Sequence, residues 1–301
     1  MERSEGSALH RPLFDQIAAH LLCPLCGQSL RATLGGLRCA AGHDFDRAAQ
    51  GYVNLLTRPA ANPGDDAAMV DARARFLGAG HFAPLAQAVA DRASAHAAPA
   101  GLLVEIGAGT GFYLGRALDA LPGRMGLAVD VSRYAARRAA RAHPRMAAVV
   151  ADASARLPLL NEDAALVLDV FAPRNAAEFA RVLRPDGALL LVTPSPDHLR
   201  ELRGHLGLLD VDPEKQSRLA RALDPHFARG PVTSLSWTMD LDHEAAILLV
   251  SMGPSARHLD RAALSRAVAA LPSRIQVTGS VQIQMARRLG TPTEPKEGAG
   301  T

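Results

Sequence analysis

The chain of 301 residues has only three cysteines and no apolar run of the roughly eighteen residues that a membrane-spanning helix needs. A bilayer span is therefore not expected. Its first residues, Met1-Glu2-Arg3-Ser4-Glu5, lack the basic and apolar segments of a secretory signal, so a cytoplasmic location is expected. An odd cysteine count in such a chain argues against a disulfide framework. No internal repeat is apparent, and the length suits one large domain with a small one beside it. Large charge excess is missing as well. The net charge is +3 with a pI near 9.0, and arginine greatly outnumbers lysine, a balance compatible with RNA that does not by itself require it.

The few cysteines are not scattered. Cys23, Cys26 and Cys39 fall with His43 in the pattern C-x2-C-x12-C-x3-H, with Gly27 and Gly42 placed for tight turns. Three thiolates and an imidazole at these intervals supply the four corners of a structural zinc site, with no position left for a catalytic water. A zinc knuckle with a role in folding and RNA contact is the expectation for residues 1–57, preceded over residues 1–20 by an exposed lead-in of some helical character.

A second concentration of signal begins at Leu103-Val104-Glu105-Ile106-Gly107-Ala108-Gly109-Thr110-Gly111. An apolar run ends in an acid, glycines recur at every second position, and an apolar helix follows. That is the form of a first β-strand and its ligand-binding turn in a doubly wound α/β domain. The spacing is Glu-x-Gly-x-Gly-x-Gly, not the Gly-x-Gly-x-x-Gly of a dinucleotide site. An acid before the turn suits a ligand with cationic groups, and S-adenosylmethionine carries a sulfonium and an amine. Two later apolar runs end at Asp130 and Asp152, and Asp130 lies near the distance at which a ribose-binding acid is expected. The cofactor-binding set read from the residues is therefore Glu105, Gly107, Gly109, Thr110, Gly111, Asp130 and Asp152.

Between these regions, Pro59, Pro63 and Gly64 mark a linker, and helices are expected over Asp65–Leu77 and Pro84–Ala97, making 58–100 a linker with helices. On spacing alone Phe82 reads as core and His81 as a surface histidine. From Gly101 the pattern alternates strand and helix, with strands to Asp130 and Asp152, then Ala164–Phe171 and Ala188–Val192 after the turn Arg184-Pro185-Asp186-Gly187. Helices are expected over Arg133–His143 and Ala176–Leu183. Val232–Leu241 and Ile275–Met285 alternate in polarity and are expected to close the sheet antiparallel. The main domain spans 101–289, and the Gly- and Pro-rich tail 290–301 is expected to be disordered. The helix after Asp130 carries Arg133, Arg137 and Arg141 on one face, with Arg138 and Arg145, a candidate phosphate-contacting patch. The fold class expected is α/β, a Rossmann-like class I S-adenosylmethionine-dependent methyltransferase domain with an N-terminal zinc ribbon.

The knuckle followed by His43-x-Phe45-Asp46 and Gln50-Gly51-Tyr52-Val53-Asn54-Leu55-Leu56 resembles the bacterial large-subunit (23S) ribosomal RNA (guanine-N1)-methyltransferases. Gly80-His81-Phe82-x-Pro84-Leu85, Phe171-Ala172-Pro173 and Thr193-Pro194-x-Pro196-x-His198-Leu199 are similar to the same family, and Val170–Asn175 with the Arg137–Arg145 region looks closest to its actinobacterial, macrolide-resistance branch. The resemblance implies zinc at Cys23, Cys26, Cys39 and His43, S-adenosylmethionine contacts at Phe82, Gly109, Thr110 and His198, and a homodimer whose zinc modules flank an RNA cleft.

Guanine N1 carries a proton and lies on the pairing edge. Its pKa is roughly two units above neutrality, so ionisation costs about 3 kcal/mol, which a base or donors toward O6 must offset. The base must also be unpaired and flipped or stacked. Phe171 is placed to offer a stacking face, and Asp169 and His81 are candidate bases. Two other readings stay open at this level: a small-molecule methyltransferase with a zinc appendage, and a non-catalytic RNA-binding protein with a vestigial pocket.

Overall fold

A computed structural model describes residues 13–206, 215–253, 256 and 260–290. Of the tail 290–301 expected to be disordered, residues 291–301 lie outside it, as do the first twelve residues of the lead-in. Three short strands, β1 (Leu30–Ala32), β2 (Gly36–Cys39) and β3 (Asp44–Asp46), form an antiparallel sheet that carries the cysteines. The rest is one eight-stranded sheet. Its strands are β4 (Val53–Asn54), β5 (Leu102–Ile106), β6 (Gly126–Asp130), β7 (Met146–Val150), β8 (Ala164–Val170), β9 (Leu183–Pro194), β10 (Phe227–Leu241) and β11 (Ile275–Arg288). They lie in the order β10-β11-β9-β8-β5-β6-β7-β4.

Strands β4 to β9 run parallel to one another, whereas β11 pairs antiparallel with both β9 and β10. Apolar runs in β5, β7 and β8 are buried on both faces, which is why they lack the alternation that β10 retains at the sheet's edge. The turn Arg184–Gly187 is a bulge inside β9: Leu183 pairs with Ala164, and Ala188 pairs next with Leu166.

Helices cover one face: α1 (Ala67–Gly78), α2 (Ala83–His96), α3 (Phe112–Ala120), α4 (Arg133–Ala139), α6 (Arg200–Leu206), α8 (His243–Ser251) and α9 (Arg261–Ala269). The opposite face packs on α5 (Ala176–Val182), α7 (Lys215–Leu223) and the zinc segment. There the expected exposed lead-in is overturned in part. Residues 13–18 are helical, and Leu13, Phe14, Ile17 and Ala18 are buried in the same core as Leu30, Leu37 and the strand residues Val104 and Val149. Their spacing puts all four on one helical stripe, a signal too short to separate from a solvated turn in the sequence. Strand β4 adds to the edge of the large sheet through Val53 opposite Val149.

The helix after Asp130 is also shorter than expected, ending at Ala139 with Ala140 as its cap. Pro144 follows, and a residue before proline is pushed out of the helical region. Among the described residues no helix is long and apolar enough to cross a membrane.

Candidate active site

The turn after β5 is built from left-handed backbone. Gly107, Gly109 and Gly111 have φ of 62°, 54° and 74°. A Cβ on Gly107 would lie 2.7 Å from that of Ala172, and one on Gly111 2.7 Å from Met146 Sδ, so neither position has room for a side chain. Two acids pin the turn. Glu105, 2% exposed, accepts the Leu114 N–H at 3.0 Å from inside the first turn of α3. Asp130 at the end of β6 accepts Gly109 N–H and Ser132 N–H, both at 2.8 Å. Burial raises both carboxyls, that of Glu105 to about 8, with the backbone bonds and the Arg73 charge opposing. A carboxylate has about four lone-pair sites, so Asp130 can still accept a hydroxyl.

A small cavity of about 40 Å³ opens on this turn, lined among others by Glu105, Gly107, Gly109, Thr110, Phe82 and Phe171. Phe82 is buried, with its ring edge-on to Phe76 at 5.5 Å, to Trp237 at 5.3 Å and to His198 at 6.2 Å. The Trp237 indole N–H donates to the His81 carbonyl at 2.9 Å and so fixes the bend that presents Phe82. Phe171 has φ of 59°, an uncommon conformation for an aromatic residue, and its ring lies 5.8 Å from that of His198. Burial, helped by the Arg203 charge, lowers His198 to about 4, and its Nδ1 accepts the Ser280 N–H at 3.1 Å. The ring is thus neutral near pH 7 with its proton on Nε2, a donor rather than a base.

Phe82, Glu105, the glycine turn, Thr110 and Phe171 are therefore brought together, with Asp130 and His198 in contact with them. Asp152 is not among them. Its Oδ1 accepts the Ser154 N–H at 2.8 Å and the Ser154 hydroxyl at 2.7 Å, closing its own turn. The two candidate bases also lie elsewhere. Asp169 is registered opposite Ile106, on the face of the sheet away from Glu105, and is fully buried. It accepts the Ala172 N–H at 3.2 Å and pairs with Arg174 at 3.4 Å, so it shapes the turn behind Phe171. Removing one partner of such a buried pair costs about 3 kcal/mol. Asp169→Asn is expected to lower unfolding free energy by that order in denaturant titration, without shifting the pH dependence of methylation. The His81 ring stacks on Phe76 at 4.7 Å and burial lowers its pKa, but it does not line the cavity.

Sequence reasoning missed Trp237, Met252 and Arg73. The first two lie far along the chain. Arg73 did carry a signal, since it sits among the apolar positions of α1.

At the other end of the molecule, Cys23, Cys26, Cys39 and His43 hold their ligand atoms within 4.8 Å of one another. The Cys26–Cys39 sulfur distance is 3.7 Å, and His43 Nδ1 lies 3.4 Å from Cys39 and 3.6 Å from Cys23. A tetrahedron with Zn–S bonds of about 2.3 Å has edges of roughly 3.7 Å, so the donor set fits zinc. Burial opposes the Cys39 thiolate, but bonds from the His43 backbone, Cys26 and the His43 ring outweigh it and bring the thiol to about 6. The turns at Gly27 and Gly42 have φ of 72° and 87°.

The basic residues separate into two groups. Arg145 spans the carbonyls of Leu118, Leu121 and Arg124 and so closes the C-terminal end of α3, and Arg133 lies over Tyr134. Neither lines the open cleft that the other arginines share. Arg137, Arg138 and Arg141 line, with Arg116, an open cleft of about 790 Å³ that also reaches Thr110 and Phe112.

Residues 21–60 match the model of the N-terminal zinc ribbon of the RlmA family. Over nearly the whole chain, a 23S rRNA (guanine(748)-N(1))-methyltransferase of Streptomyces fradiae is 47% identical, covering 91% of this chain and 98% of its own. The chain belongs to the 23S rRNA (guanine-N1)-methyltransferase family. A protein of Micromonospora griseorubida assigned to the same enzymes is 48% identical, over 90% of this chain and 98% of its own. A more distant member from Bacillus subtilis is 34% identical over 78% of this chain.

Proposed function

We propose that the protein transfers a methyl group from S-adenosylmethionine to N1 of a guanine in a hairpin loop of 23S ribosomal RNA. The observation that carries this reading is identity of 47% and 48% over almost the full length of two such enzymes, combined with an intact acid-flanked glycine turn. That turn fits the cofactor: backbone without side chains for close approach, and Glu105 and Asp130 for its cationic and hydroxyl groups. When bound, the cofactor supplies an electrophilic methyl, and the protein's part is alignment.

Phe171 lines the small cavity on the turn, and His198 packs against Phe171 and Phe82. We assign Phe171 the stacking face and the His198 Nε2–H a donor role toward the charge that develops as N1 loses its proton. The four zinc ligands pin the module that meets RNA. The Micromonospora and Streptomyces matches support a large-subunit target, and the position in the Streptomyces enzyme's name is the first guanine to examine here. By family resemblance we infer a cytoplasmic homodimer and lowered macrolide susceptibility of the modified ribosome. Sedimentation of the purified protein and drug susceptibility of a strain lacking it test these two points.

The main reading is tested by primer extension on 23S RNA treated with protein and cofactor. A methyl on N1 blocks the pairing edge, so a new stop one nucleotide before a loop guanine is expected. Methyl transfer to no ribosomal RNA would return weight to a small-molecule substrate or to a non-catalytic RNA-binding protein.

The cleft carrying Arg116, Arg137, Arg138 and Arg141 suits phosphates, since it adjoins the cofactor turn at Thr110. Each phosphate contact contributes a slope of about −0.7 to −0.9 to log affinity against log salt. Replacing Arg137, Arg138 and Arg141 together with glutamine is expected to flatten that slope by about two for the hairpin RNA. An unchanged slope would move the RNA path to another face.

A further inference from the structure

Helix α1 buries Met69, Val70, Ala72, Phe76 and Leu77, and Arg73 stands three or four positions from most of them. On a helix that spacing places the arginine on the core-facing stripe, where a charge is costly unless something holds it. Two acceptors do. Its Nη2 donates to Asp65 Oδ2 at 2.6 Å and to the Met252 carbonyl at 2.7 Å. The side chain is partly exposed, but its Nε is buried and has no acceptor among the described residues. Buried donors are nearly always bonded, and one left over on a cation marks a place where an acceptor is missing.

The surroundings say what kind of acceptor fits. Arg73 lines the same small cavity as Glu105, Gly107 and Gly109. It lies so close over the turn that a Cβ on Gly109 would come within 3.1 Å of its Cδ and 3.5 Å of its Nε. Otherwise the nearby charges are acids, Glu105 and Asp130. A ligand end that carries both an ammonium and a carboxylate would satisfy this set, with Glu105 taking the ammonium side and the guanidinium the carboxylate. An amino-acid end has that composition.

We propose that Arg73 binds the carboxylate of the methyl donor's methionine moiety through Nε–H, and that it makes the pocket selective for donors that keep that carboxylate. The assignment rests on the S-adenosylmethionine reading above. It gives α1 a direct part in cofactor recognition, with Asp65 and the Met252 carbonyl holding the guanidinium in place for it.

Calorimetric titration of the full chain with S-adenosylmethionine and with its decarboxylated analogue separates the possibilities. The parent protein is expected to prefer the carboxylate-bearing donor by about 10- to 100-fold, the range of a buried charge-assisted bond. Arg73→Met should bring the two affinities within about threefold of each other by weakening only the first, and Arg73→Lys should restore part of the preference. A variant that keeps the parent's preference overturns the proposal. So does one that loses both donors alike, because Arg73 would then serve only to tie α1 to Met252. A parent protein that binds neither donor would instead overturn the cofactor reading itself.

Discussion

Cys39→Ser is expected to leave the purified protein without zinc and to unfold its N-terminal module. Cys39 is 1% exposed, and its sulfur lies 3.7 Å from that of Cys26 and 3.4 Å from His43 Nδ1, so the substitution removes a buried thiolate corner of the tetrahedron. Zinc contributes on the order of 10 kcal/mol to small modules of this kind, far more than three strands of three or four residues gain from their own packing. The loss should not stop at the ribbon. Leu21 bridges to Leu159, the Leu22 N–H donates to the Pro158 carbonyl, and Leu30 and Leu37 share a core with Phe14 and Ile17. Metal analysis should fall from one zinc per chain to none. Hydrogen exchange should become unprotected from Leu21 to Asp46, and protection should also weaken over residues 13–18 and 157–160. A serine variant that retained its metal, or kept protected amides across β1 to β3, would contradict this.

The zinc head and the first half of the sheet were legible in the sequence for the same reason: their chemistry is local. Four ligands sit within a span of twenty-one residues, Cys23 to His43, and a buried parallel strand writes itself as an apolar run with its acid at the end, as in β5 and β6. What the sequence hid depends on which strands lie side by side. Asp130 and Asp152 look alike at the ends of their runs, yet only Asp130 reaches the turn, because β6 is the neighbour of β5 and β7 is one place further out. Asp169 ends its strand like Glu105, but one step of register sends it to the opposite face. Trp237 reaches His81 across more than one hundred and fifty residues, through a hairpin whose partner strand accommodates the indole at Gly279. Periodicity carries no such information. Arg73 was the partial exception, since a charge at a core position of a helix stands out against the spacing of its apolar neighbours.

Glu105→Gln is expected to strengthen the folded protein at alkaline pH while weakening its hold on the methyl donor. In the folded chain burial keeps the carboxyl protonated to about 8, with nearby Asp130 adding to the effect, whereas in the unfolded chain it ionises near its ordinary 4.5. Between those values the unfolded state binds fewer protons than the folded one. This carboxyl therefore lowers stability progressively from about pH 4.5 to 8 and no further above that. The full difference is on the order of 5 kcal/mol. Glutamine removes it, and its amide oxygen can still accept the Leu114 N–H that Glu105 holds at 3.0 Å. Denaturant titrations of parent and variant should agree near pH 4.5 and diverge steadily to pH 8, with the variant the more stable. Donor binding should move the other way. A cationic donor favours the ionised carboxylate, so the parent's affinity should rise toward pH 8 with proton uptake by the buffer. The variant should bind about 10- to 100-fold more weakly without that rise. Parallel stability curves for the two proteins across this window would mean that Glu105 is already ionised in the fold, and that the turn is held by a charge rather than by a buried neutral acid.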